Sequence, residues 1–289
     1  MTVDTSSPQT AVGVLPAHLQ RLDRSPQADY LSAIIHTIEN HPRSQQRAIG
    51  PSEVGEPCAR KLGYKLLGVP ERPQQPAWKP TVGTATHAWL EGVFDAANLR
   101  GIAALEDHER WMVETRLIVA YLPELEPLVG TPWLQGSCDL YDRVTGRVID
   151  HKAVGTAALR RCRTKGPGET YRTQAHLYGL GWVLRGHPVT EVVVSFLPRD
   201  GQLSDAVWWS EPFDRAVAEQ AVERLRGLAV TVSALGAAAP TVLPTAESYC
   251  TFCPFYKPNG DDLTVGCPGH EGVGAQRVGS QLDGLLGGA

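Results

Sequence analysis

The sequence predicts an α/β (α+β) protein in which helices flank a central mixed β-sheet. Segments with apolar residues at helical spacing alternate along the chain with short runs rich in Val, Ile and aromatic residues, which are typical of strands. The composition is that of an ordinary globular protein, with 42% hydrophobic and 20% charged residues. The 289 residues show no internal repeat, so a repeat architecture is not expected.

The individual elements follow from these patterns in chain order. Helices are predicted at 28–41, 53–68, 81–99, 168–186 and 214–235. Strands are predicted at 111–119, 133–142, 146–154, 190–201 and 205–213. The helix at 53–68 is predicted to be continuous, from a start signal at Pro51–Ser52 to a stop at Gly68. A flexible polar tail is expected over 1–26, a single domain over 27–268, and a flexible Gly-rich tail over 269–289.

Charge and cysteine content limit the classes of function. The net charge of −4 gives no global basis for nucleic-acid binding, so a polyanion would be held by a local basic surface or by metal ions. No apolar run approaches the length of a membrane span, and no secretory signal is visible. A cytoplasmic protein without a membrane partner is therefore expected. Six cysteines in a reducing compartment are thiols or metal ligands before they are disulfides.

Two aspartates interrupt the hairpin predicted from the second and third strands. A four-residue loop at 143–146 would place Asp142 opposite Arg147. Three residues further from the turn on each strand, Asp139 would then face Asp150. Opposed side chains have Cβ atoms about 4.5–5.5 Å apart, where two carboxylates repel each other. A divalent cation between them would reverse the sign of this interaction, and carboxylate oxygens are ligands that Mg²⁺ prefers.

Lys152 lies two residues after Asp150 and therefore shares its face of the strand. An ammonium group there can orient or deprotonate an attacking water, or stabilise the charge of a transition state. The alternative is an exposed hairpin with scattered charges. Arg143 and Arg147 at the turn favour that alternative, and the apolar residues flanking the acids oppose it.

This pattern resembles the PD-(D/E)XK nuclease superfamily in its RecB-like branch. That branch carries Gly-x-x-Asp on one strand, an acid-x-Lys on the next, a Gly-x-x-x-His on an earlier helix, and Gln-x-x-x-Tyr on a later helix. The matching residues here are Gly83 and His87, Gly136 and Asp139, Asp150 to Lys152, and Gln174 and Tyr178. The four motifs occur in the order of the family over about 95 residues, and their combination is far more specific than any one of them.

The resemblance implies a restriction-endonuclease-like core that hydrolyses DNA phosphodiesters with Mg²⁺ or Mn²⁺. The implied metal ligands are His87, Asp139, Asp150 and the backbone carbonyl of His151. Lys152 would assist the attacking water, and Gln174 and Tyr178, which share one helix face, would position the lysine region or a DNA phosphate. Glu91, one turn after His87, is a further candidate ligand or supporting residue, and a solvated helix glutamate is equally compatible.

By the same resemblance the chain is an exonuclease on single-stranded or end-containing DNA. It would act in recombination, repair or the processing of viral DNA, as a phage-encoded member of the branch would. No Gly-rich phosphate loop is present, so DNA unwinding would need a separate helicase or recombination protein as partner. The alternative is a DNA-binding or adaptor protein with a structural zinc or iron–sulfur site and a decayed nuclease centre. The presence of Asp139, Asp150 and Lys152 together argues against a decayed nuclease centre.

Four cysteines bracket the predicted core, namely Cys58, Cys250, Cys253 and Cys267. This arrangement resembles the iron–sulfur members of the branch, the AddB-type helicase–nucleases and the CRISPR-associated exonucleases. It implies that the four thiolates hold a [4Fe–4S] cluster, which clamps a Cys-rich C-terminal segment onto the core. A local Cys₃His zinc site, made by the last three cysteines with His270, is the alternative. The remaining Cys138 and Cys162 are expected to be ordinary thiols, with Cys138 facing away from Asp139.

A basic segment follows the strand that carries the lysine. Its cationic residues are Arg160, Arg161, Arg163, Lys165 and Arg172. They are predicted to form a track for DNA phosphates close to the proposed metal. A solvated basic loop is the alternative.

Overall fold

The computed structural model describes residues 26–40, 48–72, 78–101, 109–246 and 250–270. The chain divides into two compact units, one comprising residues 1–46 and 76–78 and the other residues 47–75 and 79–289. In the first unit, α1 spans Pro26–Glu39, close to the helix predicted at 28–41. Nearly all of both predicted tails lies outside the described residues, and the single domain expected over 27–268 stays a prediction.

The second unit contains the sheet and, apart from the first residue of α4, the remaining helices. The helices are α2 Pro51–Val54, α3 Ala59–Leu66, α4 Trp78–Leu99, α5 Glu126–Val129, α6 Thr156–Lys165, α7 Glu169–Leu184, α8 Arg215–Leu235 and α9 Ala239–Val242. The strands are β1 Trp111–Tyr121, β2 Trp133–Asp142, β3 Arg147–Val154, β4 Glu191–Pro198 and β5 Val207–Pro212.

The strands described in the second unit form one mixed sheet in the order β1-β2-β3-β4-β5. Antiparallel pairing joins β1 to β2, β2 to β3 and β4 to β5, whereas β3 and β4 are parallel. A parallel pair requires a crossover connection, which α6 and α7 provide. The predicted class, a mixed sheet flanked by helices, is therefore confirmed.

The turn between β2 and β3 has the predicted register. Asp142 pairs with Arg147. Gly146 adopts φ 69°, and its N–H donates to the carbonyl of Asp142 at 2.8 Å. Regular pairing of the two strands ends one residue short of Asp139 and Asp150, so the two acids lie where the strands begin to separate.

Helix α7 packs on one face of the sheet and α8 packs on α7. Trp182 of α7 is fully buried and stacks on Tyr141 of β2 with 4.5 Å between ring centroids. The segment Arg215–Val242, which contains α8, is long and apolar enough by composition to span a membrane. The apolar face of α8, including Leu225 and Val232, is buried in the same core cluster as Leu177 of α7. This packing is what a core helix requires.

The prediction of one continuous helix at 53–68 is wrong, because α2 and α3 are separated by residues 55–58. Pro57 lacks an N–H and disfavours a helical conformation in the residue before it. At Gly55 the backbone approaches α7 so closely that a Cβ atom would lie 2.8 Å from Thr170 Cα. Arg224 of α8 donates to the carbonyls of Val54 and Glu56, which the break leaves without helical partners.

Asp142 closes the turn of the hairpin through its side chain. The carboxylate is 3% exposed and accepts hydrogen bonds from Arg110 at 2.9 and 2.7 Å. Thr145 and the N–H of Val144 donate to the same group. Burial raises the pKa of the Asp142 carboxyl, but the hydrogen bonds from these three partners outweigh it and hold the pKa below its usual range.

We expect Asp142→Asn to lower the free energy of unfolding at pH 7 by about 1–3 kcal/mol, because Arg110 loses its charged partner. A depressed carboxyl pKa contributes stability above the unfolded pKa of about 3.9 and loses it as pH falls through the folded pKa. The difference from wild type should therefore be constant between about pH 7 and 5 and shrink below about pH 4. Urea unfolding across this range measures it, with Glu219→Gln on α8 as the exposed control. A loss of stability in Asp142→Asn that does not change with pH would contradict the lowered pKa assigned to the Asp142 carboxyl.

Candidate active site

The candidate site lies where β1 and β2 both depart from regular geometry. Their pairing skips Glu114 and Asp139, although the pairs on either side stay in register. Cys138 packs in the core beneath α7, whereas Leu140 packs with Phe94 of α4. Residues two apart in a regular strand share a face, so the alternation is broken at Asp139. As predicted, Cys138 faces away from Asp139.

Glu114 has an unusual backbone conformation, with φ 40°. Residues other than glycine rarely adopt a positive φ, and such positions are concentrated at functional sites because the surrounding structure must enforce them. The conformation removes Glu114 from the ladder and brings its carboxylate towards that of Asp139. The backbone of β1 is thus distorted at the level of the candidate site.

Three potential metal ligands converge there from α4, β1 and β2. The ligand atoms of His87, Glu114 and Asp139 lie within 4.8 Å of one another. His87 Nδ1 is 3.3 Å from Asp139 Oδ1 and 3.6 Å from Glu114 Oε1. Hydrogen bonds to Asp139 and then Glu114 raise the pKa of His87 to about 10. The carboxylates of Asp139 and Glu114 can therefore be held together either by a protonated His87 or by a divalent cation.

Asp139 also links β2 to β3 beyond the regular ladder. Its Oδ2 accepts a hydrogen bond from the N–H of His151 at 2.6 Å. Burial raises the pKa of the Asp139 carboxyl, but the hydrogen bond with His87 and the charge of Lys152 outweigh it, so the pKa is lowered. Asp139 is thus an ionised carboxylate although it is almost fully buried.

Asp150 is fully buried on the other face of the sheet, between a lysine and an amide. Lys152 Nζ lies 2.5 Å from Oδ2, and Gln174 Nε2 of α7 donates to Oδ1 at 2.8 Å. Burial raises the pKa of Asp150 to about 6; Lys152 lowers it and the nearby charge of Asp139 raises it. The charge of Asp139 therefore acts on Asp150, but the predicted arrangement with the two acids opposed on one strand face is wrong, because Asp139 is directed to α4 and Asp150 to α7.

Tyr178 stands one turn after Gln174 on α7. Burial raises the pKa of Tyr178, so its hydroxyl stays protonated. The hydroxyl lies against the backbone of Gly136, where a Cβ atom would be 3.1 Å from the tyrosine oxygen and 2.9 Å from Pro51 Cδ. The glycine of the Gly-x-x-Asp motif thus allows α2, β2 and α7 to meet beside Asp150.

The structure differs from the expected ligand set in two respects. Among the described residues, the group within 4.8 Å contains Glu114 and does not contain Asp150, whose carboxylate is directed to Lys152 and Gln174. Glu91 is exposed on α4 and is not part of the group. Glu114 is a single acid inside an apolar run, which is only a weak signal for a metal ligand. The same run fits an exposed position on an edge strand.

His151 follows Asp150 and points to the face of α4. Its ring stacks on Phe94 with 5.9 Å between centroids, and neither ring nitrogen has a hydrogen-bond partner among the described residues. Burial lowers the pKa of His151, which keeps the ring neutral. The ring of His151 therefore contributes apolar packing at the site, and its backbone N–H donates a hydrogen bond to Asp139.

The four predicted cysteine ligands line one pocket of about 340 Å³ of atom-free space, together with His270. The pocket joins Cys58, which precedes α3, to the C-terminal segment 250–270. The N–H of His270 donates to Cys250 Sγ, and that of Gly269 to Cys267 Sγ, each at 3.4 Å. Such N–H groups stabilise sulfur that carries negative charge.

The two predicted metal sites require different distances between the cysteine sulfurs. In the part of the chain that the structure describes, no three cysteine or histidine ligand atoms of this pocket lie within 4.8 Å of one another. Four sulfurs around one zinc ion would be about 3.8 Å apart, from a Zn–S distance of about 2.3 Å. A cubane cluster binds each thiolate to a different iron and needs a wider spacing. Cys138 and Cys162 are buried in the core beneath α7.

The predicted basic residues have different surroundings. Arg161 and Lys165 of α6 line an open groove, and Arg160 is exposed. Arg163 donates to a backbone carbonyl of the β4–β5 connection at 2.9 Å, and Arg172 pairs with a glutamate of β5 at 2.6 Å. Arg163 and Arg172 are therefore engaged within the protein.

We expect Glu114→Gln and Asp139→Asn each to weaken Mn²⁺ binding by about 10- to 100-fold, because each removes a charged oxygen ligand. Since the pKa of His87 is raised to about 10, metal binding at pH 7 should release about one proton. Calorimetry in buffers of different ionisation enthalpy measures both quantities. Glu91→Gln is the matched control on α4 and should bind as wild type does. Unchanged affinity in Glu114→Gln would remove Glu114 from the ligand set.

Comparisons with known proteins give a limited result. No protein-family model and no curated protein matches the chain. A solved structure described as "Crystal structure of SSO0001" matches with 14% sequence identity and a TM-score of 0.44. The match covers 79% of this chain and 93% of that chain. A likeness at this level identifies neither a family nor a function.

Proposed function

We propose that this chain is a metal-dependent deoxyribonuclease with a restriction-endonuclease-like core, acting as an exonuclease on single-stranded or end-containing DNA. One observation carries the proposal. A group of three ligands, His87, Glu114 and Asp139, lies beside a buried Asp150–Lys152 pair, and Asp139 and Asp150 influence each other's charge. A stable fold gains nothing from this concentration of buried charge, because each group loses its hydration.

The three ligands suit Mg²⁺ or Mn²⁺. Carboxylate oxygens bind both ions, and the imidazole of His87 adds a ligand that suits Mn²⁺ better. The backbone carbonyl of His151 is proposed to complete the set, as the family pattern implies, whereas Asp150 is directed to Lys152 and Gln174 instead. When bound, the cation supplies a Lewis acid for the phosphate and lowers the pKa of a water molecule.

Asp150 and the side chains around it have separate roles in the proposed reaction. Burial lowers the pKa of Lys152, but pairing with Asp150 outweighs this and the net pKa is raised. Lys152 is therefore a cation at neutral pH, which suits stabilisation of a negatively charged transition state better than proton abstraction. Asp150, with its pKa raised to about 6, is the better proton acceptor. Gln174 and Tyr178 hold Asp150 in place, so they act as positioning residues.

We further propose that Cys58, Cys250, Cys253 and Cys267 hold a [4Fe–4S] cluster. Their shared pocket and the N–H groups directed at two of the sulfurs support a metal held by these thiolates. The ring of His270 lies beside Thr245, with 3.0 Å between Nδ1 and Oγ1, which occupies one of its two possible ligand atoms. The cluster would tie the segment after residue 250 to α3.

The proposed setting is recombination, repair or viral DNA processing in the cytoplasm, with unwinding supplied by a separate helicase or recombination protein. This part of the proposal rests on the resemblance of the motifs. The competing function is a DNA-binding or adaptor protein whose nuclease centre has decayed. It predicts DNA binding without any metal-dependent hydrolysis.

Digestion of end-labelled single- and double-stranded DNA, with and without Mn²⁺, tests the nuclease. We expect hydrolysis only with the metal. Lys152→Ala should slow it at least about 100-fold because charge stabilisation in the transition state is lost, and Asp150→Ala should slow it by a similar factor because the proton acceptor is lost. Glu219→Gln on the exposed face of α8 should be as active as wild type. Circular single-stranded DNA should resist an exonuclease. Equal rates for wild type and Asp150→Ala would refute the catalytic assignment.

The metal in the cysteine pocket is tested on protein purified without oxygen. We expect a broad absorption band near about 400 nm and about four iron atoms per chain. Cys58→Ser should lose the band and the iron, whereas Cys162→Ala, which changes a cysteine of the core, should keep both. Stoichiometric zinc with no visible band would show that the Cys₃His site, or another zinc site, is the correct one.

A further inference from the structure

His151 is a buried side chain that the fold leaves without polar partners. The residue is 6% exposed, and neither Nδ1 nor Nε2 has a hydrogen-bond partner among the described residues. The large majority of buried polar side chains do have such partners, and an exception beside a functional site points to a bound water or ion. The imidazole of His151 therefore has a capacity for hydrogen bonding that the packing of the protein does not use.

The ring lies on the face of the sheet that carries the metal ligands. Side chains alternate along β3, so His151 is directed away from the face of Asp150 and Lys152. Its neighbours come from α4: Phe94 stacks on the ring with 5.9 Å between centroids, and the ring of His87 lies 6.2 Å away at an angle of 78°. Stacking uses the face of the imidazole and leaves the two nitrogens, which lie at its edge, without a partner.

The charges of the ligand group act on this ring. Burial has the largest effect on the pKa of His151 and lowers it, whereas the charges of Asp139 and Glu114 raise it, and the net pKa is lowered. The ring is therefore neutral at pH 7, with one nitrogen as a donor and the other as an acceptor. The backbone N–H of the same residue donates to Asp139 Oδ2 at 2.6 Å. The ring is thus held next to the ligand group with an acceptor nitrogen available.

The position of the ring suits contact with a cation through a water molecule. Among the described residues, the group within 4.8 Å consists of His87, Glu114 and Asp139 and does not include His151. Mg²⁺ keeps several waters, at about 2.0–2.1 Å from the ion. A hydrogen bond of about 2.8 Å from such a water to a nitrogen places that nitrogen within about 5 Å of the ion. A nitrogen outside the group can therefore still contact the cation through one water.

We propose that the ring of His151 accepts a hydrogen bond from a water molecule bound to the cation of this centre and thereby orients that water. The proposal rests on the proposed metal-dependent nuclease and adds a residue to its site. The backbone carbonyl of His151 is already proposed as a ligand, so this residue would serve the centre through both its main chain and its side chain. Fixing the direction of an attacking water lowers the barrier, because the reacting atoms are then already aligned.

Electron–nuclear double resonance of bound Mn²⁺, with ¹⁵N in the histidine rings, tests the contact without requiring catalysis. A directly bound imidazole couples strongly to the ion, whereas a nitrogen reached through a water couples weakly, because the coupling falls steeply with distance. We expect a strong coupling from His87 and a weak coupling that His151→Phe removes. Glu91→Gln, the control on α4, should keep both. Two strong couplings would make His151 a direct ligand, and a spectrum that His151→Phe leaves unchanged would assign its ring to packing; either result would overturn the proposal.

The rate of DNA hydrolysis tests the effect of the contact. His151→Phe keeps a ring on Phe94 and removes both nitrogens. We expect hydrolysis to slow about 10- to 100-fold, the loss typical of residues that contact a metal ligand, with the Mn²⁺ affinity unchanged within about threefold. The amide oxygen of His151→Asn or His151→Gln can replace one ring nitrogen as an acceptor, so one of these two variants should recover most of the rate. In EDTA, His151→Phe should resist urea at least as well as wild type, because two unpartnered nitrogens are lost.

The outcomes separate this contact from the nuclease itself. An unchanged rate in His151→Phe, no recovery in either amide variant, or a loss of stability that parallels the loss of rate would overturn the proposal, while hydrolysis by wild type keeps the nuclease. A weak nitrogen coupling without hydrolysis would keep the contact and refute the nuclease. Failure of Mn²⁺ to bind would overturn both.

Discussion

Two carboxylates, Asp139 and Asp150, are buried on opposite faces of the sheet where β2 and β3 begin to separate. Removing ionised groups from water costs several kcal/mol each unless partners replace the lost hydration. The partners come from separate elements: His87 from α4, the N–H of His151 from β3, Lys152 from the same strand and Gln174 from α7. The two buried charges therefore depend on α4 and α7 both lying against the sheet.

The two acids differ because their surroundings differ. Asp139 faces α4, where an imidazolium ring and a backbone donor keep it ionised. Asp150 faces the core beneath α7, where burial raises its pKa in spite of Lys152. One carboxylate is thereby suited to ligation and the other to proton transfer, although both arise from the same residue type. Separation of pKa values by environment is a general means of assigning acid and base roles.

Period-two counting and the glycine of the turn were sufficient to predict that Asp142 pairs with Arg147 and that Lys152 shares the strand face of Asp150, but not that Asp139 leaves that register. Glu114 could not be predicted in the same way, because its position depends on a distortion of β1 that the strand pattern does not show. The break at Gly55 depends on the close approach of α7, which is a tertiary contact. Helix α6 was also missed, since Leu159 and Cys162 are its only buried residues and give little periodic signal.

Gly136 has no functional group, yet it controls the alignment of the most deeply buried acid. Its α-carbon fills the gap between the ring of Pro51 and the phenol of Tyr178. A single methyl group added there would push one of these rings aside. Displacing the phenol would disturb the packing around Gln174, the residue of α7 that donates to the Asp150 carboxylate. The candidate site therefore has room at residue 136 only for the hydrogen atom that is the side chain of glycine.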